Sequence, residues 1–179
     1  MKGVLFNVVE DAVVEMFDDE MWDGLLEEAG VDGAYTALGD YPHTDLVAIV
    51  NAAAARLDMD PGDVLRTVGA RCFGHLLGRY PAFGDAAANA RDFVVQVESF
   101  IHPEVLKLYP SATLPRFEFE HRDDGVLRMT YRSDRCLAPL AEGLVEGAAA
   151  HFGETIDITP VASAAGGATA TVDLRFRSG

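Results

Sequence analysis

The hydrophobic period of this chain first changes from helical to alternating at Pro115, and that change constrains the fold more than any other feature. Before it, apolar residues recur at three- and four-residue spacing; after it, they alternate. A helical front half must therefore give way to a sheet-bearing rear half. In the front half, Leu5, Val8, Val9, Ala12, Val13 and Met16 form an apolar stripe with Glu10, Asp11 and Glu15 opposite, which predicts an amphipathic helix packed on a core. Gly30, Gly33 and Gly39 predict a loop. Thr44 to Leu57 predicts a helix opened by a threonine cap and carrying Leu46, Val47, Val50 and Ala54. Asp60 and Pro61 read as the cap and first-turn proline of a helix through Val64, Leu65, Val68, Cys72, Phe73 and Leu76. It should end near Gly78, closed by Pro81. A further helix is expected from near Asp85 through Phe93, Val94, Val97, Phe100 and Ile101 to about Tyr109, with Pro103 bending or restarting it immediately after His102.

Beyond Pro115, Phe117 and Phe119 alternate with Arg116, Glu118 and Glu120, and Leu127, Met129 and Tyr131 alternate with Arg128, Thr130 and Arg132. Asp123, Asp124 and Gly125 supply the turn of a hairpin. A helix is expected from about Ser133 to Phe152, with Leu137, Leu140, Leu144, Val145 and Ala148 on one face. Strands of about Thr155 to Ala162 and Thr169 to Arg177, joined through Gly166-Gly167, complete an antiparallel sheet of four strands. The expected fold is α+β, a single domain over 1–179 with a helical lobe of about 1–110 and a sheet lobe of about 111–179.

Composition narrows the partners. The 179 residues carry 29 acidic against 14 basic side chains, a formal net charge of −15, which opposes nucleic-acid binding and an anionic membrane surface alike. No apolar stretch is long enough to span a bilayer, and Met1 to Phe6 runs into Glu10 and Asp11 without a signal-peptide core, so a cytoplasmic protein is expected. Two cysteines, Cys72 and Cys136, make neither a disulfide framework nor a four-cysteine zinc site; reduced thiols are expected, Cys72 in the core and Cys136 at a helix start.

Five histidines occur, at 43, 75, 102, 121 and 151. His102 stands apart because it ends the apolar run Phe93 to Ile101, precedes a proline and lies just ahead of the switch to sheet. A haem ligand needs a neutral imidazole held by a rigid element in apolar surroundings. Haem also brings two propionates, which need directed donors in so acidic a chain. Tyr131, Ser133 and Arg135 would supply a phenol, a hydroxyl and a guanidinium on one side if the strand continued through Arg135. A strand end followed by a serine cap accounts for the same three residues, and taken alone the segment leaves both readings open.

A histidine ending an apolar helix, 29 residues before a Tyr-x-Ser-x-Arg segment, resembles the H-NOX (haem nitric oxide/oxygen binding) family. So do the opening Met1 to Asn7, the block Ile101 to Val105 with Leu108-Tyr109-Pro110, Leu114 to Phe117, and Leu137 to Phe152 with its core Ala141 to Gly147. The resemblance covers roughly residues 1 to 160. It implies haem b as cofactor, His102 as the axial iron ligand and Tyr131, Ser133 and Arg135 as propionate ligands. It further implies Pro115 pressing on the porphyrin, Asp45 supporting the arginine, and Leu5, Val9, Gly74, Leu140 and Leu144 around the haem.

The implied function is a gas sensor rather than an enzyme: NO binding opposite His102 weakens the iron–histidine bond, and the freed helix shifts against the sheet. Oxygen-binding members of the family place a hydroxyl where this chain has Leu140, and Val9 and Gly74 add no donor, so NO and CO are the expected ligands, with NO preferred over oxygen. A separate histidine kinase or a diguanylate cyclase/phosphodiesterase is the implied partner, since nothing follows residue 179 to act as a cyclase. A haem-free interaction module with the same fold, and a haem enzyme using His75 as a distal group, are the competing readings. His75 as a sixth ligand and the acidic run Glu15 to Glu28 as a docking face stand against the plainer readings of a surface histidine and a solvated face.

Overall fold

The computed structural model describes residues 1–164 and 167–179. Its elements run α1 (Gly3–Met16), α2 (Asp19–Ala29), α3 (His43–Leu57), α4 (Pro61–Arg79), α5 (Pro81–Asp85) and α6 (Ala90–Gln96). A π-helical turn (Val97–Ile101) leads into α7 (His102–Leu108), followed by β1 (Arg116–His121), β2 (Leu127–Arg132), α8 (Ala138–His151), β3 (Glu154–Ser163) and β4 (Thr169–Ser178). The expected α+β architecture is observed: helices, then a four-stranded antiparallel sheet ordered β1-β2-β4-β3.

Local chemistry sets several boundaries. The Asp60 carboxylate accepts from Gly62 N–H at 2.7 Å, with Pro61 in the first turn, as expected of that pair. Asp18 caps α2 through Met21 N–H at 2.8 Å, and Gly30 closes it at φ +67. α3 differs from expectation: it starts at His43, after Pro42, and no side chain caps it. The hairpin turn holds Gly125 at φ +81, with Arg122 N–H donating to Val126 O across its neck. Of the expected Gly166-Gly167 connection, Gly166 lies outside the described residues, while Gly167 has φ +77.

The sheet is one-sided. Phe117, Phe119, Leu127, Met129, Tyr131, Val172 and Leu174 share the face turned to the helices, while Arg128–Asp173, Thr130–Thr171 and Arg132–Glu118 pair across strands on the outer face. The helical core is built on Phe6, Leu25, Leu46, Ile49 and Cys72 from α1 to α4. α8 joins the two: Leu137 and Leu140 pack in the helical core, and Val145 packs on the sheet. It lies so close to α4 that a Cβ at Gly143 would overlap the Arg66 carbonyl, and one at Gly69 the Leu140 carbonyl. Among the described residues no helix is long and apolar enough to cross a membrane.

Candidate functional site

A cavity of about 350 Å³ opens between α1, α4, α8, the sheet and the chain from Phe93 to Pro115. Each helix presents one stripe to it: Phe73, Leu76 and Leu77 from α4, with Tyr80 just past its end, and Leu140, Ala141, Leu144, Val145 and Ala148 from α8, with Leu137 just before its start. Leu5, Pro115, Leu140 and Leu144 line it. Val9 and Gly74 do not. Val9 lies one turn beyond Leu5 on α1 and is buried in the helical core. Gly74 falls off the stripe of α4 and faces solvent; a Cβ there would meet nothing.

His102 also lines the cavity, and its placement depends on the π-helical turn. Pro103 has no N–H for the carbonyl four residues back, so the helical ladder loosens ahead of it. The His102 N–H donates to Val97 O, five residues back, which sets His102 over Val97 on the cavity face. The helix therefore restarts at His102 itself, with Pro103 in its first turn. Burial of His102 holds its pKa below the ordinary imidazole value, against the opposing pull of the nearby Glu98 carboxylate. A neutral ring is the form that can donate a lone pair to a metal. Nδ1 lies 3.4 Å from Glu98 Oε1.

Tyr131, Ser133 and Arg135 also reach the cavity, but not by strand alternation. β2 ends at Arg132, and a turn in which Cys136 N–H donates to Ser133 O carries the next residues round, with Cys136 at φ +57. The buried Tyr131 hydroxyl accepts from Leu137 N–H at 3.1 Å, and Ser133 Oγ accepts from Arg135 N–H at 3.3 Å. Both hydroxyl protons thus remain to be donated, and among the described residues Arg135 has no carboxylate partner. Asp45 does not take that role: its Oδ2 accepts from Tyr35 Oη at 3.4 Å, and it makes no ion pair with Arg135. Met1 and Lys2 add positive charge on the cavity lining beside Asp40 and Ser111.

His75 sits outside the cavity, with Nε2 2.7 Å from Glu15 in an acidic groove of α1 and α4. The competing distal role for it has no geometric support. Tyr80 and Tyr109 are among the cavity residues that escaped the sequence reading; their hydroxyls lie 2.6 Å apart, with the Tyr80 phenol pushed up to about 12 chiefly by burial. No local signal marks them, because 29 positions separate them. Glu98 was also missed, although its four-residue spacing from His102 on a helix was visible.

An apolar cleft with one imidazole on a wall and hydroxyl and guanidinium donors at one end suits a flat apolar ligand that carries anionic groups at one edge. Among the described residues no three His, Cys, Asp or Glu side chains gather to hold a bare metal ion, so a metal here would bring its own ligands. Residues 2–160 match the model of the family described as Haem-NO-binding. The chain belongs to that family. H-NOX proteins are haem gas sensors rather than enzymes. The chain is similar to an H-NOX protein from S. oneidensis solved in the Fe(II)NO ligation state: 31% identity, TM-score 0.91, covering 99% of this chain and 100% of that one. An H-NOX domain from Shewanella oneidensis in the Fe(II)CO state has the same identity at TM-score 0.87, with both chains fully covered. The unliganded Fe(II) H-NOX protein from K. algicida is 26% identical at TM-score 0.88, covering 100% of this chain and 98% of that one. No curated protein matches the sequence.

Proposed function

We propose that this chain is a cytoplasmic haem-based sensor of NO, with CO as a second ligand, that takes haem b, signals to a separate enzyme and has no turnover of its own. The observation that carries this reading is the gathering, on the lining of one apolar cavity, of neutral His102 and the donor set Tyr131, Ser133 and Arg135. His102 would be the axial ligand through Nε2, and the three donors would hold the propionates. Bound there, haem would supply a ferrous iron able to take up a diatomic gas.

The protein's part is to set what that position meets. Leu5, Leu140 and Leu144 offer it no hydrogen bond, which favours NO and CO over oxygen. Tyr80 and Tyr109 are engaged with each other, and their pairing ties the end of α4 to the end of α7. Pro115, on the segment joining α7 to β1, closes the wall on the His102 side. His102 heads α7, so any change in the pull on its ring is delivered directly to that helix. We read the chain as one domain over 1–179, its helical part (1–110) and sheet part (111–179) changing their relation as α7 moves. A partner senses this only if it binds the two arrangements with different affinity; a histidine kinase or a diguanylate cyclase/phosphodiesterase is the proposed partner.

The test is the absorption spectrum of the purified protein, reduced without oxygen and exposed in turn to air, CO and NO. An intense Soret band that shifts with CO and NO but not with air, and that needs added imidazole in His102→Gly, is expected. No Soret band after haem reconstitution would sink the reading, and a stable oxygen complex would overturn the NO preference.

A further inference from the structure

Glu98 is the point where the His102 segment meets the sheet. It stands in the first turn of the π-helical stretch, with its side chain 33% exposed against 15% for His102. Its Oε1 accepts from the backbone N–H of Phe117 at 2.6 Å and lies 3.4 Å from His102 Nδ1. β1 is an edge strand, so its outward N–H groups have no strand partner, and Glu98 satisfies one of them. The Phe117 ring in turn packs on the His102 ring, with centroids 5.8 Å apart. One carboxylate therefore fixes both the imidazole and the aromatic residue against which it rests. The loosened turn makes this possible, because it rotates His102 over Val97 while leaving Glu98 beside it.

We propose that Glu98 is a positioning residue for the axial histidine: its carboxylate keeps the ring proton on Nδ1, leaves Nε2 as the metal-facing lone pair, and couples the ring to the edge of β1. This rests on His102 being the axial ligand. A carboxylate beside Nδ1–H selects that tautomer and makes Nε2 more basic, as outer partners of metal-bound histidines do. At 3.4 Å it acts chiefly as a charge, and electron donation from Nε2 to a metal strengthens the attraction. Such a partner opposes loss of the iron–histidine bond. It thereby sets how strongly a gas on the far side must pull before His102 lets go, and it ties that release to the Phe117 edge of the sheet.

Glu98→Gln keeps an acceptor for Phe117 N–H but loses the charge; Glu98→Ala loses both. In haem-free protein, nitrogen-15 NMR of the His102 ring should show the Nδ1-protonated tautomer for the native chain and a shift towards the Nε2-protonated one in Glu98→Ala. In ferrous haem-loaded protein, the iron–histidine stretching frequency should fall and the reduction potential rise in the order Glu, Gln, Ala. Haem loss should quicken about tenfold or more in Glu98→Ala. Equal stretching frequencies and potentials for Glu and Gln, with only a lower melting temperature for Ala, would reduce Glu98 to a cap on Phe117 and overturn the proposal. An Nε2-protonated ring in the native haem-free protein would overturn it as well. Failure of the native chain to take up haem would instead refute the function proposed above, and the tautomer measurement would still decide whether Glu98 orients the ring.

Discussion

Two helical regions of this molecule are packed in opposite ways. α1, α3 and α4 each bury a continuous face, with Phe6, Leu46, Ile49 and Cys72 at 2% exposure or less. The chain from Pro81 to Leu108 is broken into short pieces, and α5, the π-helical turn and α7 bury no side chain to that degree. Its apolar residues Val97, Ile101 and Val105 line the cavity and are only partly buried, with Val97 and Ile101 packing against the edge of the Phe73–Phe93 cluster. A stretch whose packing partner is a ligand sits at the low-stability end of a fold, and its order depends on that ligand. In a sensor this is the stretch that has to move.

Truncation should expose the difference most strongly. Phe6→Ala removes a fully buried ring and should cost about 3–5 kcal/mol by urea denaturation, with or without cofactor. Ile101→Ala removes atoms from a cavity wall and should cost about 1 kcal/mol or less in cofactor-free protein, rising once haem is bound. Equal costs in the haem-free chain would mean the two regions are packed alike.

Arg135→Ala acts next. Loss of a charged hydrogen bond to a propionate should weaken haem retention by about 1.5–3 kcal/mol, read as faster transfer of haem to an acceptor protein. The melting temperature of the haem-free chain should not move, because Arg135 has no carboxylate partner among the described residues. A fall in that temperature would make Arg135 a structural residue instead.

The thiols report the contrast without mutation. Burial pushes Cys72 up to about 12, and it lies between α4 and the Val8 carbonyl, whereas Cys136 is exposed. A thiolate reagent at neutral pH should modify Cys136 promptly and Cys72 only when α1 and α4 separate. Exchange at the amides of 97–108 should be far faster than Cys72 labelling in haem-free protein, and comparable rates would contradict the low stability assigned to that stretch.

How much of this was legible in the sequence follows from how local each cause is. The Asp60-Pro61 start, the Asp123 to Gly125 turn and the alternation of β1 and β2 rest on neighbouring residues, and they stand where the pattern put them. The π-helical turn left only its cause, Pro103, in the sequence; where the ladder would loosen depended on the cavity that His102 had to face. β2 ends at Arg132, where its alternation stops, but the helix expected from about Ser133 begins only at Ala138, because Cys136 adopts φ +57 without the glycine or asparagine that usually announces it. Val9 and Gly74 were assigned to the cavity by resemblance, and the stripes of α1 and α4 correct both. Glu98 shows the reverse, a visible helical spacing whose meaning required the edge of β1 beside it.

The smallest effect tests the well-packed region through pH. Arg66 on α4 holds Glu146 of α8 at 2.6 Å and reaches Glu142 at only 3.5 Å. Desolvation pushes the Glu142 carboxyl above its ordinary 4.5, with Arg66 pulling it down and Glu146 adding to the rise. A carboxyl raised on folding contributes stability that is full below its unfolded pKa and is lost as pH rises through the folded one. At pH 7 the Glu142 charge is therefore a net cost, and Glu142→Gln should stabilise the protein, by less than about 1 kcal/mol. The gain should shrink as pH falls through the folded pKa and vanish below the unfolded one. Glu146→Gln should do the opposite at pH 7, because it breaks the close pair and leaves Arg66 with the longer contact alone. Urea denaturation of both variants at pH 7 and pH 4 decides the matter. A destabilised Glu142→Gln at pH 7 would mean that Arg66 serves both carboxylates, and that the α4–α8 contact is held by a three-membered charge network rather than by the glycine-lined approach of its backbones.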